Sequence, residues 1–213
     1  MLGVRDDMAD EFVSWVRGVL EVGLTDPVVR LENRRKIINF FREELEDRKN
    51  NPREEDLITD LLNSGDKYPV TDQYVLGVCN LMLVAGIDTT WSAIGSSLWH
   101  LAQHPEHRKQ LRDNPDLWPT AVEELLRAYS PVTMARIVDR DIEFQGCPMK
   151  AGDRILMAFP AANRDPRQFE SPDEVILDRQ HNRHVAFGSG IHRCAGSNLA
   201  RLELRVALQV WLE

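Results

Sequence analysis

FGSGIHRCAG, residues 187–196, surrounds one cysteine with three glycines and places a histidine two positions before it. A helical pattern, SNLARLELRVALQVWLE, begins directly afterwards. Backbone N–H groups at a helix N-terminus favour an anion, and glycines let the backbone come close to a flat ligand. A thiolate in this position is a good ligand for a soft metal. A buried structural cysteine is the alternative, but the glycine pattern favours a metal ligand at Cys194.

The overall charge excludes nucleic acid as the general partner of this chain. With 26 Lys+Arg against 34 Asp+Glu, the 213 residues carry a formal net charge of −8, whereas phosphate binding needs clustered lysines and arginines. Residues 179–213 are the exception, because they hold five arginines and two glutamates. This basic end could dock an acidic partner or could be a solvated helix face, and the sequence leaves both open.

Cysteine usage and the first residues indicate the compartment. The chain has three cysteines, an odd and sparse count that fits a reducing environment better than a disulfide scaffold. MLGVRDDMADEF, residues 1–12, carries charges where a signal peptide needs an apolar core. We expect no apolar run near the ~20 residues that span a bilayer. These features predict a cytoplasmic protein without a membrane partner, with Cys79 in the core and Cys147 in a hairpin.

The hydrophobic pattern predicts a mainly α chain with a minor β part. Residues 71–103 show the longest helical pattern, which a His-Pro pair ends. Because it is apolar on nearly all sides over residues 76–85, this helix is expected to run through the middle of a larger body. A second helix is predicted over 117–129. Short β-prone runs separated by turns predict a small sheet over 141–158.

Two shorter patterns inside the predicted helices could carry chemistry. AGIDTT, residues 85–90, puts a glycine and two threonines in the long helix, where these residue types are poor choices. A hydroxyl beside the Asp88 carboxylate can break the hydrogen-bond ladder and open a groove, or it can simply bend the helix. VEELLR offers Arg127 two partners about one turn away, Glu123 and Glu124. Periodicity does not choose between them.

The chain resembles the cytochrome P450 superfamily of haem-thiolate monooxygenases. Phe187, Gly190, Cys194 and Gly196 match the spacing F-x-x-G-x-x-x-C-x-G of that family's haem-binding loop, which also contains Gly188. The resemblance implies haem b, iron-protoporphyrin IX, as the cofactor. It implies Cys194 as the axial iron ligand, whose thiolate favours O–O cleavage over oxygen carriage.

The resemblance also gives roles to the two helical patterns. Asp88 and Thr89 match the family's acid–alcohol pair, which delivers protons for O–O cleavage because a dry apolar pocket needs a relay. The family's E-x-x-R pattern selects Glu124 and Arg127. Arg179 matches the third member of that network, which supports the cysteine loop and is structural for the site.

Further contacts to the cofactor and the substrate follow from the same resemblance. Arg136, His184 and His192 are expected to bind the two haem propionates, since these groups carry negative charge. The residues over the distal face of the haem are apolar and suggest a hydrophobic substrate, although an ordinary core would contain the same residue types: Leu81, Val84, Ala85, Val132 and Met134.

Zinc is the runner-up ligand of the cysteine loop. Its candidate ligands are His181, His184, His192 and Cys194, in the spacing H-x2-H-x7-H-x-C. This spacing fits no common zinc arrangement, and haem is therefore favoured.

The resemblance covers the whole chain, but the chain corresponds to the C-terminal half of the family's fold, so front helices and a last β hairpin are expected to be missing. It implies hydroxylation of a small hydrophobic organic substrate with O2 and electrons from NAD(P)H. A ferredoxin-type donor with its ferredoxin reductase would supply them, docking on Arg193, Arg201 and Arg205. The alternative is an inactive or haem-binding-only truncated fragment that lacks a closed substrate pocket.

Overall fold

The structure is a computed structural model that describes residues 2–66 and 70–213. The chain divides into two compact units, one ending at Asp88 and the other beginning at Thr89. Helices dominate the described residues of both units, and short strands occur in the second. The chain is therefore mainly α with a minor β part, as its hydrophobic pattern predicts.

The first unit is built from helices around an apolar core. Its helices are α1 (Ala9–Leu20), α2 (Pro27–Asn50), α3 (Leu57–Asn63) and the first part of α4 (Asp72–Gln103). α2 begins at Pro27 because the Asp26 side chain accepts hydrogen bonds from the N–H groups of Val28 and Val29, at 2.9 and 3.1 Å. Side chains of α1 and α2 supply much of the core, which contains Phe12, Val16, Ile37, Phe41 and Leu45.

The second unit has a separate apolar core. Its helices after α4 are α5 (Pro105–Asp113), α6 (Trp118–Ala128), α7 (Phe159–Ala162) and α8 (Ser197–Leu212). Leu125 of α6 and Leu204 and Leu208 of α8 are fully buried in this core. Burying one leucine completely is worth about 1.5–3 kcal/mol. This packing fixes α8, and therefore the loop before it, against α6.

The strands form two small antiparallel sheets. They are β1 (Met134–Ile137), β2 (Ile142–Phe144), β3 (Cys147–Met149) and β4 (Arg154–Met157). β1 pairs with β4, with Met134 opposite Met157, while β2 pairs with β3. The predicted β region, 141–158, therefore begins after β1 and misses this strand. The partner of β1 is β4, which lies far along the chain. All four β1 residues are exposed, and their sequence, Met-Ala-Arg-Ile, has no apolar–polar alternation that would mark a strand.

α4 is more exposed than its sequence suggests. Its 32 residues correspond to about 48 Å of helix at the usual rise per residue. Length and composition would allow α4 to cross a membrane, since an 18-residue window reaches a mean hydropathy of 1.3, and 17% of that window is buried. The expectation that no apolar run approaches this length was therefore wrong. Core helices of soluble proteins share these properties, so the finding alone does not assign α4 to a membrane.

Candidate functional site

The loop around Cys194 has a defined backbone path. Gly188 and Gly190 each have a φ of +70°, a left-handed conformation that costs glycine little because it has no Cβ. The N–H of Cys194 donates to the carbonyl oxygen of Phe187 at 2.9 Å and closes the loop. The Cys194 side chain is exposed, and α8 begins at Ser197. The thiol is therefore accessible just before the first turn of a helix.

Gly196 lies beside this thiol, and Phe187 of the same loop contacts α8. A Cβ at Gly196 would lie 3.9 Å from Cys194 Sγ, in ordinary contact with the sulfur. The half-buried Phe187 ring has the guanidinium carbon of Arg201 at 4.5 Å from its centroid, which is a cation–π contact. The aromatic side chain of the loop is thus attached to α8, while the thiol remains accessible.

A buried network joins Glu124, Arg127 and Arg179. Glu124 is fully buried and accepts hydrogen bonds from Arg127 Nε and Nη2, each at 2.8 Å, and from Arg179 Nε at 2.9 Å. The Ile176 N–H and the Asn182 amide also donate to it. Burial alone would raise the pKa of Glu124, but these hydrogen bonds, first among them that from Arg127, lower it. The carboxylate therefore remains ionised although it is buried.

Arg127 satisfies all five of its N–H groups inside this network. Two bonds go to Glu124, and the other three go to the backbone carbonyl oxygens of Asn163, Pro172 and Glu174, at 2.7–2.8 Å. One helix residue thereby holds three backbone positions of the 163–174 segment. The sequence indicated the ion pair but gave no signal for these carbonyl partners.

Asn163 connects the network to the cysteine loop, and sequence reasoning missed it. Its carbonyl oxygen accepts from Arg127, and its side-chain Oδ1 accepts from the Val185 N–H at 2.7 Å. The Val185 carbonyl oxygen then accepts from the Gly188 N–H at 2.9 Å. A continuous chain of hydrogen bonds thus runs from the α6 network into the loop that contains Cys194. A single asparagine without a motif around it does not reveal such a role.

Glu123 forms a second network with residues to which the sequence assigned other roles. Its carboxylate lies 2.9 Å from His184 Nε2 and accepts from Arg201 Nη2 at 2.9 Å. Burial alone would raise the pKa of Glu123, but the hydrogen bonds from His184 and Arg201 lower it from 4.5 to about 2. Arg201, expected on a docking surface, is therefore engaged in an internal ion pair.

The structure also argues against the expected propionate contact of His184. Its side chain is only 3% exposed. Nε2 faces Glu123, and Nδ1 accepts from the Ala186 N–H at 3.2 Å. Both ring nitrogens are therefore engaged, and the role of His184 is to attach the start of the loop to α6.

The other two expected propionate ligands are accessible. Arg136 is exposed on β1, where its Nη1 donates to the carbonyl oxygen of the neighbouring Ala135 at 2.9 Å. His192 is exposed at the end of the short turn Gly190–His192. Neither side chain is enclosed by the core, so each can reorient toward an anionic group.

The predicted relay and pocket residues lie on both sides of the division at Asp88. Asp88 and Thr89 are consecutive, half-buried residues of α4. The predicted pocket residues are exposed or half-buried, Leu81, Val84 and Ala85 in the first unit, Val132 and Met134 in the second. Proton transfer and substrate contact therefore stay predictions for these seven residues.

A cavity of about 230 Å³ lies between α6 and α8. Its lining includes Val122, Glu123, Arg201 and Leu202. None of the predicted substrate-pocket residues contributes to this lining. The cavity therefore lies between two helices of the second unit and is distinct from the predicted substrate pocket.

The groups around the cysteine loop fit a haem better than a zinc ion. Cys194 offers an accessible thiol, which is the soft ligand that one class of haem proteins uses. Arg136 and His192 offer exposed donors for carboxylates. A zinc ion would need several ligands in one place, but both ring nitrogens of His184 are engaged elsewhere.

Comparison with known proteins gives a match over most of the chain. The model of the family described as cytochrome P450 matches residues 29–213. The probable cytochrome P450 127A1 of Sinorhizobium fredii is 36% identical over 211 residues, which cover 99% of this chain and 50% of that protein. The chain thus spans about half the length of the curated relatives it matches.

Solved structures give the same picture. The cytochrome P450 PksS of the bacillaene polyketide synthase from Bacillus subtilis has a TM-score of 0.92 and 33% identity, covering 99% of this chain and 55% of that one. P450BioI, solved in complex with an acyl carrier protein ligated with hexadec-9Z-enoic acid, has a TM-score of 0.89 and 35% identity. That match covers 99% of this chain and 56% of the other.

Proposed function

The chain belongs to the cytochrome P450 family, and we propose that it forms the haem-binding part of a monooxygenase that hydroxylates a small hydrophobic substrate. The expected mainly helical, P450-like fold, of which the chain covers about half, is confirmed. The family's proteins bind haem b through a cysteine thiolate and are oxidoreductases. The accessible thiol of Cys194, in a loop tied to a buried ion-pair network, is the observation that carries the proposal.

Three side chains would hold the cofactor. Cys194 Sγ would bind the iron, and Arg136 and His192 would pair with the propionates. The hydrogen bonds that run from Glu124 through Asn163 would keep the loop in position. When bound, haem b supplies the activation of O2, and its thiolate ligand favours O–O cleavage.

Asp88 and Thr89 are the proposed proton-delivery pair. O–O cleavage consumes protons, and an apolar pocket provides them only through positioned groups. The Asp88 carboxylate would exchange protons with solvent and pass them to Thr89 Oγ1. Their adjacent, half-buried positions on α4 support this role.

The substrate class follows from the apolar character of the predicted pocket residues. The five side chains offer contact area but no charge, which suits a hydrophobic molecule. P450BioI, which is similar to this chain, was solved with an acyl chain on a carrier protein. Free fatty acids and carrier-bound acyl chains are therefore the first substrates to test. The described biosynthetic roles of such relatives favour an enzyme over a haem-binding remnant.

A ferredoxin-type donor with a ferredoxin reductase is the proposed source of electrons from NAD(P)H. Arg193 and Arg205 are exposed and would attract an acidic donor. Arg201 is omitted from this surface because it is paired with Glu123. The three cysteines are all free thiols, which supports a cytoplasmic location.

The test is the absorption of the reduced, CO-bound protein. We expect the chain to bind haem b and, after reduction and addition of CO, to give the strongly red-shifted Soret band of thiolate ligation. Cys194→Ser should abolish that band. Cys147→Ser is the matched control, because Cys147 is also an exposed thiol but lies on β3, and this variant should keep the band.

Two results would overturn the proposal. One is haem binding with an unchanged band in Cys194→Ser, and the other is failure of the chain to bind haem. If the band behaves as expected, oxidation of fatty acids with NADPH and a surrogate ferredoxin system measures the proposed activity.

A further inference from the structure

Three histidines gather where α4 ends and α5 begins, in the second unit. His100 lies in the last turn of α4, His104 is the residue between the helices, and His107 lies in the first turn of α5. One ring nitrogen from each histidine lies within 4.8 Å of the others. The ring of His100 is stacked on both neighbours, with centroids 4.2 Å from His104 and 5.1 Å from His107. Three imidazole nitrogens are therefore gathered in one place.

We propose that this cluster binds one divalent cation, with Zn²⁺ as the preferred ion. Imidazole nitrogen is a ligand that Zn²⁺ favours, and three protein ligands with water in the fourth position is a common arrangement. Tetrahedral zinc with bonds of about 2.0–2.1 Å places its ligand nitrogens about 3.3 Å apart. The three nitrogens lie within 4.8 Å of one another and would reach this spacing by rotation of the side chains.

The spacing of the three histidines is itself a chelating pattern. His100 and His104 are four residues apart, a separation that places two imidazoles on one face of a helix. His107 follows three residues later on the next helix. The pattern H-x3-H-x2-H is visible in the sequence, where only His104 has another role, as part of the His-Pro pair that ends the long helical pattern.

The second nitrogen of two rings is already oriented. His100 Nδ1 lies 2.8 Å from the Tyr129 hydroxyl, and His104 Nδ1 lies 2.8 Å from a Glu106 carboxylate oxygen. Metal-binding histidines use their second nitrogen in this way, because the outer hydrogen bond fixes the tautomer and the ring orientation. His100 then has Nε2, which lies 2.8 Å from His107 Nδ1, as its nitrogen for a metal, and His104 has its own Nε2.

One existing contact would be replaced by the cation. His100 Nε2 and His107 Nδ1 are 2.8 Å apart and share a hydrogen bond. A bound Zn²⁺ takes the place of the shared proton, which moves to the outer nitrogen of its ring or is released to solvent, and requires the two nitrogens to separate by about 0.5 Å.

The binding of a cation would join the end of α4 to the start of α5. The ion would be coordinated by one residue from each helix and by the residue between the helices. Because only the folded chain brings these ligands together, binding stabilises it. The site uses none of the residues proposed to hold haem. Its test is therefore independent of the proposed function.

The experiment is a calorimetric titration of the whole chain with ZnCl2 at pH 7, repeated with CoCl2, whose visible absorption reports tetrahedral nitrogen coordination. We expect one bound equivalent and a higher melting temperature. His104→Asn removes a ligand but keeps a good helix N-cap, and His107→Gln removes a ligand from α5. Each should raise the Kd by at least about tenfold.

Two control variants separate this site from other donors. His181→Asn changes an exposed histidine of the same unit, and Cys194→Ser removes the accessible thiol. Both should retain the wild-type affinity. Loss of binding in both ligand variants, with retention in both controls, supports the proposal. Absence of saturable binding, unchanged affinity in the two ligand variants, or loss of binding in Cys194→Ser would overturn it.

Discussion

Arg48 in the first unit and Arg127 in the second are both completely buried, and they are neutralised in different ways. Arg127 binds one carboxylate, that of Glu124, and three backbone carbonyl oxygens. Arg48 binds three carboxylates and one carbonyl oxygen, those of Asp56, Glu44, Asp47 and Gly3. The guanidinium group of Arg127 thus binds mainly backbone carbonyl oxygens, whereas that of Arg48 binds mainly acidic side chains.

The two arrangements differ in how their acceptors respond when the arginine is lost. The backbone carbonyl groups around Arg127 cannot rotate independently of the chain, and the bond to Asn163 is fully buried. Around Arg48, the side chains of Glu44 and Asp47 are 20% and 37% exposed and can rotate into solvent. An unpaired buried acceptor costs much more than one that is hydrated. The network of the second unit should therefore tolerate substitution less well.

The largest effect is expected for Arg127→Met. This variant leaves Glu124 with fewer donors and removes the Arg127 donors of three backbone carbonyl oxygens, so the free energy of unfolding should fall by about 3–5 kcal/mol. Urea denaturation followed by circular dichroism measures it. Arg17→Met is the control, because its exposed pair with Glu21 is worth about 0.5 kcal/mol or less. Equal losses in the two variants would remove the basis of the comparison.

A smaller effect is expected for Arg48→Met. Asp56 is left as a buried carboxylate, 2% exposed, while the other two acids turn to water. The same urea experiment should give a loss of about 2–3 kcal/mol, below that of Arg127→Met. A loss larger than that of Arg127→Met would contradict the explanation based on mobile acceptors.

The smallest effect concerns pH and the Glu123 carboxylate, which forms the second network. Hydrogen bonds from His184 and Arg201 outweigh burial and lower the pKa of Glu123 from 4.5 to about 2. Its stabilisation is therefore complete above about pH 4.5 and is lost as the pH falls toward about 2. Because Glu123 is partly exposed, we expect about 1–2 kcal/mol over this range.

Glu123→Gln measures this contribution directly. The free energy of unfolding of this variant, followed between pH 5 and pH 2, should fall less steeply than that of the wild type. Glu143→Gln changes an exposed residue of β2 and should leave the slope as it is. If the free energy of unfolding of Glu123→Gln falls with pH as steeply as that of the wild type, the ion pairs of Glu123 do not persist in solution.

Much of the architecture was predictable because its signals are local. The helical pattern over 71–103 corresponds to α4, and the pattern over 117–129 corresponds to α6. The cysteine loop was recognisable because glycine positions and a thiol at fixed spacing are read along the chain. By contrast, β1 was missed because its partner, β4, is distant in sequence and its exposed residues carry no alternation.

The sequence by itself determined the helical character of the chain, its family and the identity of the exposed thiol, since each depends on residue types at short spacing. Tertiary structure alone decided which partners Glu123 and Glu124 bind. Both are within reach of Arg127 along the helix. The packing of α6 against α8 and the 163–185 segment brings Glu123 to Arg201 and His184. The same packing brings Glu124 to Arg127 and Arg179. Helical periodicity fixes which residues share a face, whereas burial and distant donors fix which partner each charge finds.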